Sequence, residues 1–437
     1  MPTVSYTPEF ECESAEVTFN ATSQCTEDCK PKFPNKVESI VSEWSLVCNR
    51  QILITLPDSL YMGGKTLGAI IVGPLIDRFG RRVSSILSMF GFAISLGVPL
   101  FSIGFNGFCS MRLFQGFFSA ACYNAIQCLF IELLPVNLRA PLSPLIDCSS
   151  GLGSVLVGVT GIVFSEWRHT FWTYVSYAIV CFICLLFFKE SNEWLKGRSA
   201  VTDTKSETKK FLKSKPTLWL TTKLICMWIT TNSLFYGLTL NTELLEGSIP
   251  RNMIIFGAMD TVSCLVLMSF NGKVRRKFSM AGTYSLCGLV LLSSAIFQIY
   301  GLDPKTALAL TFLGKFFISM NFALIYLYTG ELYPTTCRSL GFAICTGVAR
   351  TLGIALPFVT DGELLYGIDI KIFLVGRSII WLPGMLFGSC AVFSALVTLT
   401  LPDTSNRELP TTVDEALDLY KQPFSKPFDC IKKVTGL

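Results

Sequence analysis

The chain has a single histidine, His169, in 437 residues. It stands at the end of an apolar run, so histidine-based metal centres and histidine acid–base pairs are excluded. No Walker-type phosphate loop occurs, which leaves ATP-driven pumping without sequence support. Charge is scarce: 15% of residues are Asp, Glu, Lys or Arg, against about 25% in soluble domains. The first residues have neither the basic region nor the apolar core of a secretory leader. The basic tract at 205–215 suits lipid headgroups better than nucleic acid. No residue set stands out as catalytic, metal-ligating or cofactor-binding, so an enzyme is not expected.

Apolar sequence is abundant. Hydrophobic residues make up 51% of the chain and mean hydropathy is +0.52. A bilayer is crossed by about 20 apolar residues in a helix. Segments of that kind fall near 53–76, 83–103, 107–133, 143–165, 170–188, 217–240, 252–271, 280–300, 306–331, 339–359 and 375–400. The expectation is an all-α membrane protein with about 11 transmembrane helices.

The chain also repeats itself. Glu132-Leu133-Leu134-Pro135-Val136-Asn137-Leu138-Arg139 returns as Glu331-Leu332-Tyr333-Pro334-Thr335-Thr336-Cys337-Arg338. Upstream, the basic loop Gly73–Arg82 is answered in degraded form by Asn271–Lys277. Two similar halves are a common transporter architecture. The polar loop 189–216 separates five segments from six. The predicted map is an extracellular Cys-containing segment 1–51, an incomplete N-terminal bundle 52–188, a cytoplasmic basic loop 189–216, a six-helix bundle 217–400 and a cytoplasmic tail 401–437. Eleven is an odd count for a twofold repeat, so the first helix of a six-plus-six arrangement is expected to be missing, through truncation, an alternative start or a gene-model error.

Lys and Arg set the predicted topology. With residues 1–51 outside, the inner loops and tail hold 22 of the 36 basic residues, and the outer connections beyond residue 52 hold five. The first 51 residues carry eight Asp/Glu against four Lys/Arg. Cys12, Cys25, Cys29 and Cys48 would then lie in an oxidising compartment as disulfide candidates. Three pairings are open to them. Asn20-Ala21-Thr22 is a glycosylation sequon in the same segment.

The pattern Gly73-x-x-x-Asp77-Arg78-x-Gly80-Arg81-Arg82 resembles the loop between the second and third helices of the major facilitator superfamily, and Arg112-Leu113-Phe114-Gln115-Gly116 resembles its helix 4 motif. Glu43-Trp44-Ser45-Leu46-Val47-Cys48, Glu190-Ser191-Asn192-Glu193-Trp194-Leu195, Tyr328-Thr329-Gly330-Glu331-Leu332-Tyr333-Pro334-Thr335 and Leu401-Pro402-Asp403-Thr404 are similar to motifs of the organic cation/anion transporter family of solute carriers. The run Tyr326–Glu331 is most similar to the organic anion branch. The resemblance implies a major facilitator fold of two pseudo-repeated helical bundles. It implies secondary-active, alternating-access transport of a small organic anion, in exchange for a counter-anion, across the plasma membrane. The alternatives are an organic cation or zwitterion carrier, or a truncated, non-transporting membrane relative.

Ionisable residues within spans are costly in hydrocarbon and tend to mark a pathway. They are Lys65, Arg112, Glu132, Lys223, Asp260, Lys315, Glu331 and Arg350. Glu132, Glu331 and Lys223 lie near helix ends, where structural roles or snorkelling suit them. Lys65, Lys315 and Arg350 lie deeper, and three deep cations favour an anion. The resemblance places Arg350, Lys315 and Phe322 at substrate positions and adds Phe235 and Tyr236 as aromatic lining. Cys264, four residues after Asp260, departs from the basic residue of some anion carriers. An Arg350–Asp260 pair is the purely structural alternative. Expected gating residues are Asp77, Arg78, Gly80, Arg81, Arg82, Arg112, Glu132, Arg139, Glu331 and Arg338, with Asp77 latching to a helix N-terminus or to Arg139.

Overall fold

The computed structural model describes residues 39–47, 53–101, 104–134, 141–164, 166–191, 210–240 (apart from 212), 248–270, 274–334, 337–361, 381–404 and 413–420, with short pieces at 11–12, 31–33, 50, 138, 195 and 410. A two-residue antiparallel pairing joins β1 (Glu11–Cys12) to β2 (Pro31–Lys32). The rest of the described regular structure is helical.

Among the described residues a short helix, α1 (Ile40–Trp44), is followed by eleven long ones. These are α2 (Leu56–Phe79), α3 (Arg81–Gly97), α4 (Phe105–Leu133), α5 (Leu145–Val163), α6 (Trp167–Leu186), α7 (Lys215–Leu240), α8 (Ile249–Phe270), α9 (Arg276–Ile299), α10 (Pro304–Leu332), α11 (Arg338–Asp361) and α12 (Leu382–Leu399). A last short helix, α13 (Val413–Tyr420), follows. Helices are the natural state of such runs, because each satisfies its backbone hydrogen bonds internally. Local signals fix several boundaries. Proline lies in the first turn of α2, α10 and α12. Asp303 caps α10, and hydrogen bonds from the Thr306 hydroxyl and the backbone amides of Lys305 and Thr306 hold its carboxyl below the usual range. Gly80 turns the chain from α2 into α3 with φ +101°, a conformation open to glycine and strained for other residues.

Packing repeats with a shift of six helices. α2 packs on α4 as α8 does on α10; α3 packs on α4 and α6 as α9 does on α10 and α12. Two seams join the sets, α5 against α8 and α2 against α11. These seams also exchange under the same shift. Among the described residues α7 has no such counterpart, and it packs on α10, α11 and α12.

Among the described residues, seven of the long helices are apolar enough to cross a membrane by length and composition: α3, α5, α6, α8, α9, α10 and α12. The other four carry Lys65 (α2), Arg112 (α4), Lys223 (α7) and Arg350 (α11). They form one contiguous row, α4–α2–α11–α7.

Glycine lets backbones touch along that row and along one seam. A Cβ on Gly64 or Gly116 would meet the Leu113 or Tyr61 carbonyl oxygen at 2.0 Å, so α2 and α4 are in backbone contact. On the α5–α8 seam, a Cβ on Gly151 would lie 2.5 Å from Thr261 Oγ1 and 2.8 Å from the Gly257 carbonyl. Gly153 faces open space. Gly151→Leu should therefore destabilise the protein by about 1–3 kcal/mol or more through overpacking, while Gly153→Leu should be nearly neutral. Melting of both variants in detergent checks this; equal melting would place the seam elsewhere.

Candidate functional site

Helices α2, α8, α10 and α11 bring Lys65, Asp260, Lys315 and Arg350 to one central region. Arg350 stands halfway along α11, buried at 8% exposure. Its Nη2 donates to the Tyr326 hydroxyl at 3.3 Å. Its Nη1 has no hydrogen-bond partner, and no acidic side chain pairs with it among the described residues.

Asp260 is engaged elsewhere. It accepts a short hydrogen bond from the Ser319 hydroxyl and lies 3.5 Å from Lys315 Nζ. Lys315 is fully buried on α10; its Nζ also donates to the Thr239 hydroxyl at 3.0 Å and the Phe235 carbonyl at 3.2 Å, and it sits 3.3 Å from the centroid of the Phe235 ring. The Arg350–Asp260 alternative is thus not what the fold contains: Lys315 is the acid's partner, because both project between α8, α10 and α7.

Lys65 of α2 reaches across to α7, 3.5 Å from the Tyr236 hydroxyl and 4.9 Å from the centroid of the Tyr61 ring. An aromatic group joins these cations. Phe235 and Phe322 stack at 4.5 Å, and Phe322 meets Tyr236 at 6.4 Å and Tyr326 at 5.5 Å. Tyr326 also contacts Trp228 at 4.6 Å, Tyr123 at 5.8 Å and Phe342 at 6.2 Å. All six sequence-predicted substrate residues, Arg350, Lys315, Phe322, Lys65, Phe235 and Tyr236, therefore lie in one connected region. Sequence reasoning missed Trp228, Tyr123, Phe342 and Asp147. Tyr123 donates to Asp147 Oδ1 at 2.9 Å. The available signal was an acid three residues into an otherwise apolar span.

The gating set divides by position. Arg112 pairs closely with Asp58, donates to Gln115 at 3.1 Å and lies 4.8 Å from the centroid of the Tyr61 ring, toward the end of the bundle where α2 begins. At that end Glu43 accepts from Trp167 Nε1 at 2.7 Å and Arg168 Nη2 at 2.5 Å, which docks α1 on α6. At the opposite end, Arg81 pairs with Glu132 at 3.1 Å and Arg276 with Glu331 at 3.3 Å. The same bond thus recurs in the repeat, joining α3 to α4 and α9 to α10. Glu190 accepts from the backbone amides of Arg81 and Arg82, both at 3.0 Å, and so caps α3. Arg82 Nη2 donates to the Leu186 carbonyl at 2.9 Å. Arg78 is exposed and lies 5.8 Å from the centroid of the Phe79 ring. The side chains of Asp77 and Arg338, residues Arg139, Asn20, Cys25, Cys29 and Cys48, and the Cys12 side chain lie outside the described residues. Among the described residues no His/Cys/Asp/Glu group could hold a metal.

Residues 50–357 match the family model of the Major Facilitator Superfamily. The chain belongs to that superfamily. Solute carrier family 22 member 6-A of Xenopus laevis is 27% identical over 444 residues, covering 92% of this chain and 76% of that protein. In fold, the chain is similar to the proton:xylose symporter XylE bound to 6-bromo-6-deoxy-D-glucose (TM-score 0.70, 16% identity, 85% of this chain and 90% of that one). It is also similar to the human organic anion transporter MFSD10 (TM-score 0.62, 14% identity, 82% and 87%). The protein is therefore a multi-pass membrane transporter rather than an enzyme.

Tyr326 supplies the one described hydrogen bond to the Arg350 side chain. Tyr326→Phe should leave the guanidinium further unsatisfied and cost about 1–3 kcal/mol of stability. The drop would be read as lower melting in detergent; unchanged melting would mean that Arg350 is held by other groups.

Proposed function

We propose that this transporter carries small organic anions by alternating access, binding the anionic group at Arg350 near mid-membrane, in exchange for a counter-anion. The observation that carries the reading is the buried Arg350 Nη1, which lacks a partner among the described residues. A buried cationic donor without an acceptor is costly, and an incoming carboxylate or sulfonate would satisfy it with a charge-assisted, bidentate bond. Charge balance supports the same ligand class. Lys315 is neutralised by Asp260, whereas Lys65, like Arg350, has a tyrosine hydroxyl and no acid as its described partner. Phe322 and Tyr326 offer ring faces to an apolar body next to these cations. Similarity to solute carrier family 22 and to an organic anion transporter agrees with this reading.

In this scheme 52–188 and 217–400 act as two halves that rock about the α5–α8 and α2–α11 seams. The Arg81–Glu132 and Arg276–Glu331 pairs each lie within one half and would brace it throughout. Their end of the bundle is proposed to face the cytoplasm, as the Lys/Arg distribution requires, with residues 1–51 outside at the plasma membrane. A tag inserted at 196–215 should then resist impermeant labels in intact cells, and labelling from outside would reverse the orientation.

The binding test uses proteoliposomes loaded with unlabelled benzenesulfonate as counter-anion and given labelled benzenesulfonate, an anion that stays ionised, or labelled tetraethylammonium. Wild type should take up the sulfonate and not the cation. At matched reconstitution, Arg350→Asp should abolish that uptake, and Arg350→Lys should retain part of it, because lysine keeps the charge and loses the bidentate fork. Equal uptake by wild type and Arg350→Asp would remove Arg350 from the site, and cation uptake by wild type would favour the cation-carrier alternative.

A further inference from the structure

Asp147 is a buried acid that the anion-binding reading does not use. It lies near the start of α5, and the helix dipole alone would accommodate an acid there. Its surroundings go beyond that. It is only 8% exposed. Its described hydrogen bond comes from Tyr123 at 2.9 Å, and Tyr123 lies ten residues before the end of α4 (133 minus 123), about 15 Å along the axis. No basic side chain pairs with it among the described residues.

Among the described residues, the other ionisable groups acting on Asp147 are neutral or acidic. On α4 there is Tyr123; on α8, across the seam, Asp260 and Cys264; on α10, Tyr326; on α5 itself, Cys148. α6, which also packs on α5, contributes none among the described residues. The nearby Lys315 ammonium is already held by Asp260, Thr239 and the Phe235 carbonyl. A carboxylate at this position is buried, with one tyrosine hydroxyl as its described hydrogen-bond partner. Taking up a proton relieves the desolvation cost. The donor set also selects the ligand: one tyrosine hydroxyl is no oxygen cage, so a metal cation is poorly served.

We propose that Asp147 is a proton-binding site within the membrane, that it carries a proton in with the incoming anion, and that it returns unprotonated with the counter-anion. The step is a simple protonation: a solvent proton adds to one carboxylate oxygen of Asp147, and the same O–H bond breaks when the site faces the other side. The location suits coupling. Asp147 lies one turn from Gly151, where α5 and α8 are in backbone contact, and Tyr123 links it to Tyr326, the partner of Arg350. Rocking at this seam would change the access of water to the carboxyl.

The proton site is tested without any substrate, and only the coupling arm rests on the anion-transport reading. Infrared difference spectra of the purified full-length protein are recorded as pH is lowered. Wild type should develop the carbonyl band of a buried neutral carboxylic acid, Asp147→Asn should lack it, and Tyr123→Phe should keep it at a shifted frequency. An unchanged band in Asp147→Asn, or no shift in Tyr123→Phe, overturns the site; the second variant also decides the matter if the first does not fold.

For coupling, proteoliposomes loaded with unlabelled benzenesulfonate as counter-anion and a trapped pH dye receive labelled benzenesulfonate under an outside-acid gradient. Benzenesulfonate cannot carry a proton itself. Wild type should acidify the lumen by about one proton per sulfonate, and Asp147→Asn should lose that acidification. Wild-type acidification in Asp147→Asn overturns the coupling. If wild type moves no sulfonate, the anion-transport reading has failed, and the infrared result still decides the proton site.

Discussion

An ionised side chain in hydrocarbon costs several kcal/mol unless it is paired, hydrated or aimed into the protein, and this cost orders the whole molecule. The four helices α4, α2, α11 and α7, which carry Arg112, Lys65, Arg350 and Lys223, stand in one row, each touching the next. The helices α3, α6, α9 and α12 carry many exposed large hydrophobic residues, such as Leu87, Ile183, Leu289 and Phe393. In water this would be a liability; in lipid it is the expected surface. At helix ends, charge is tolerated and used for bracing, as in Arg81–Glu132, Arg276–Glu331 and Glu190 on the start of α3.

Between helices, with lipid tails as apolar as the side chains they would compete with, association depends on close packing. Gly64, Gly116, Gly151 and Gly257 bring backbones together where any side chain would collide. The two seams differ in this respect. α5 and α8 meet through backbone at Gly151 and Gly257, whereas α2 and α11 meet at Gly347 through the Ile70 side chain, with a Cβ there 3.1 Å from Ile70 Cγ1. A side-chain contact can reform in a new register more readily than a backbone one.

The same cost distinguishes the deep cations from one another. Lys315 is bound by Asp260 and by two further acceptors, and so is part of the scaffold of the site. Arg350 and Lys65 rest on tyrosine hydroxyls. Tyr326 connects these groups, since it hydrogen-bonds Arg350 and contacts Phe322, Trp228, Tyr123 and Phe342. A ligand that displaced it would be felt on α4, α7, α10 and α11 together.

The sequence by itself determined the membrane class, the eleven long helices, the pair of repeats and the depth of Lys65, Lys315 and Arg350. Each is a property of a single run of residues: its length, its hydropathy, or the place of a charge within it. Which charges meet was decided by tertiary structure alone. Asp260 and Lys315 are 55 positions apart (315 minus 260), Tyr123 and Asp147 are on different helices, and Trp228 reaches Tyr326 across nearly 100 residues (326 minus 228). Side-chain partners across helices depend on the rotation and offset of each helix about its axis. Those are set by the sum of many close contacts, and no local pattern encodes that sum.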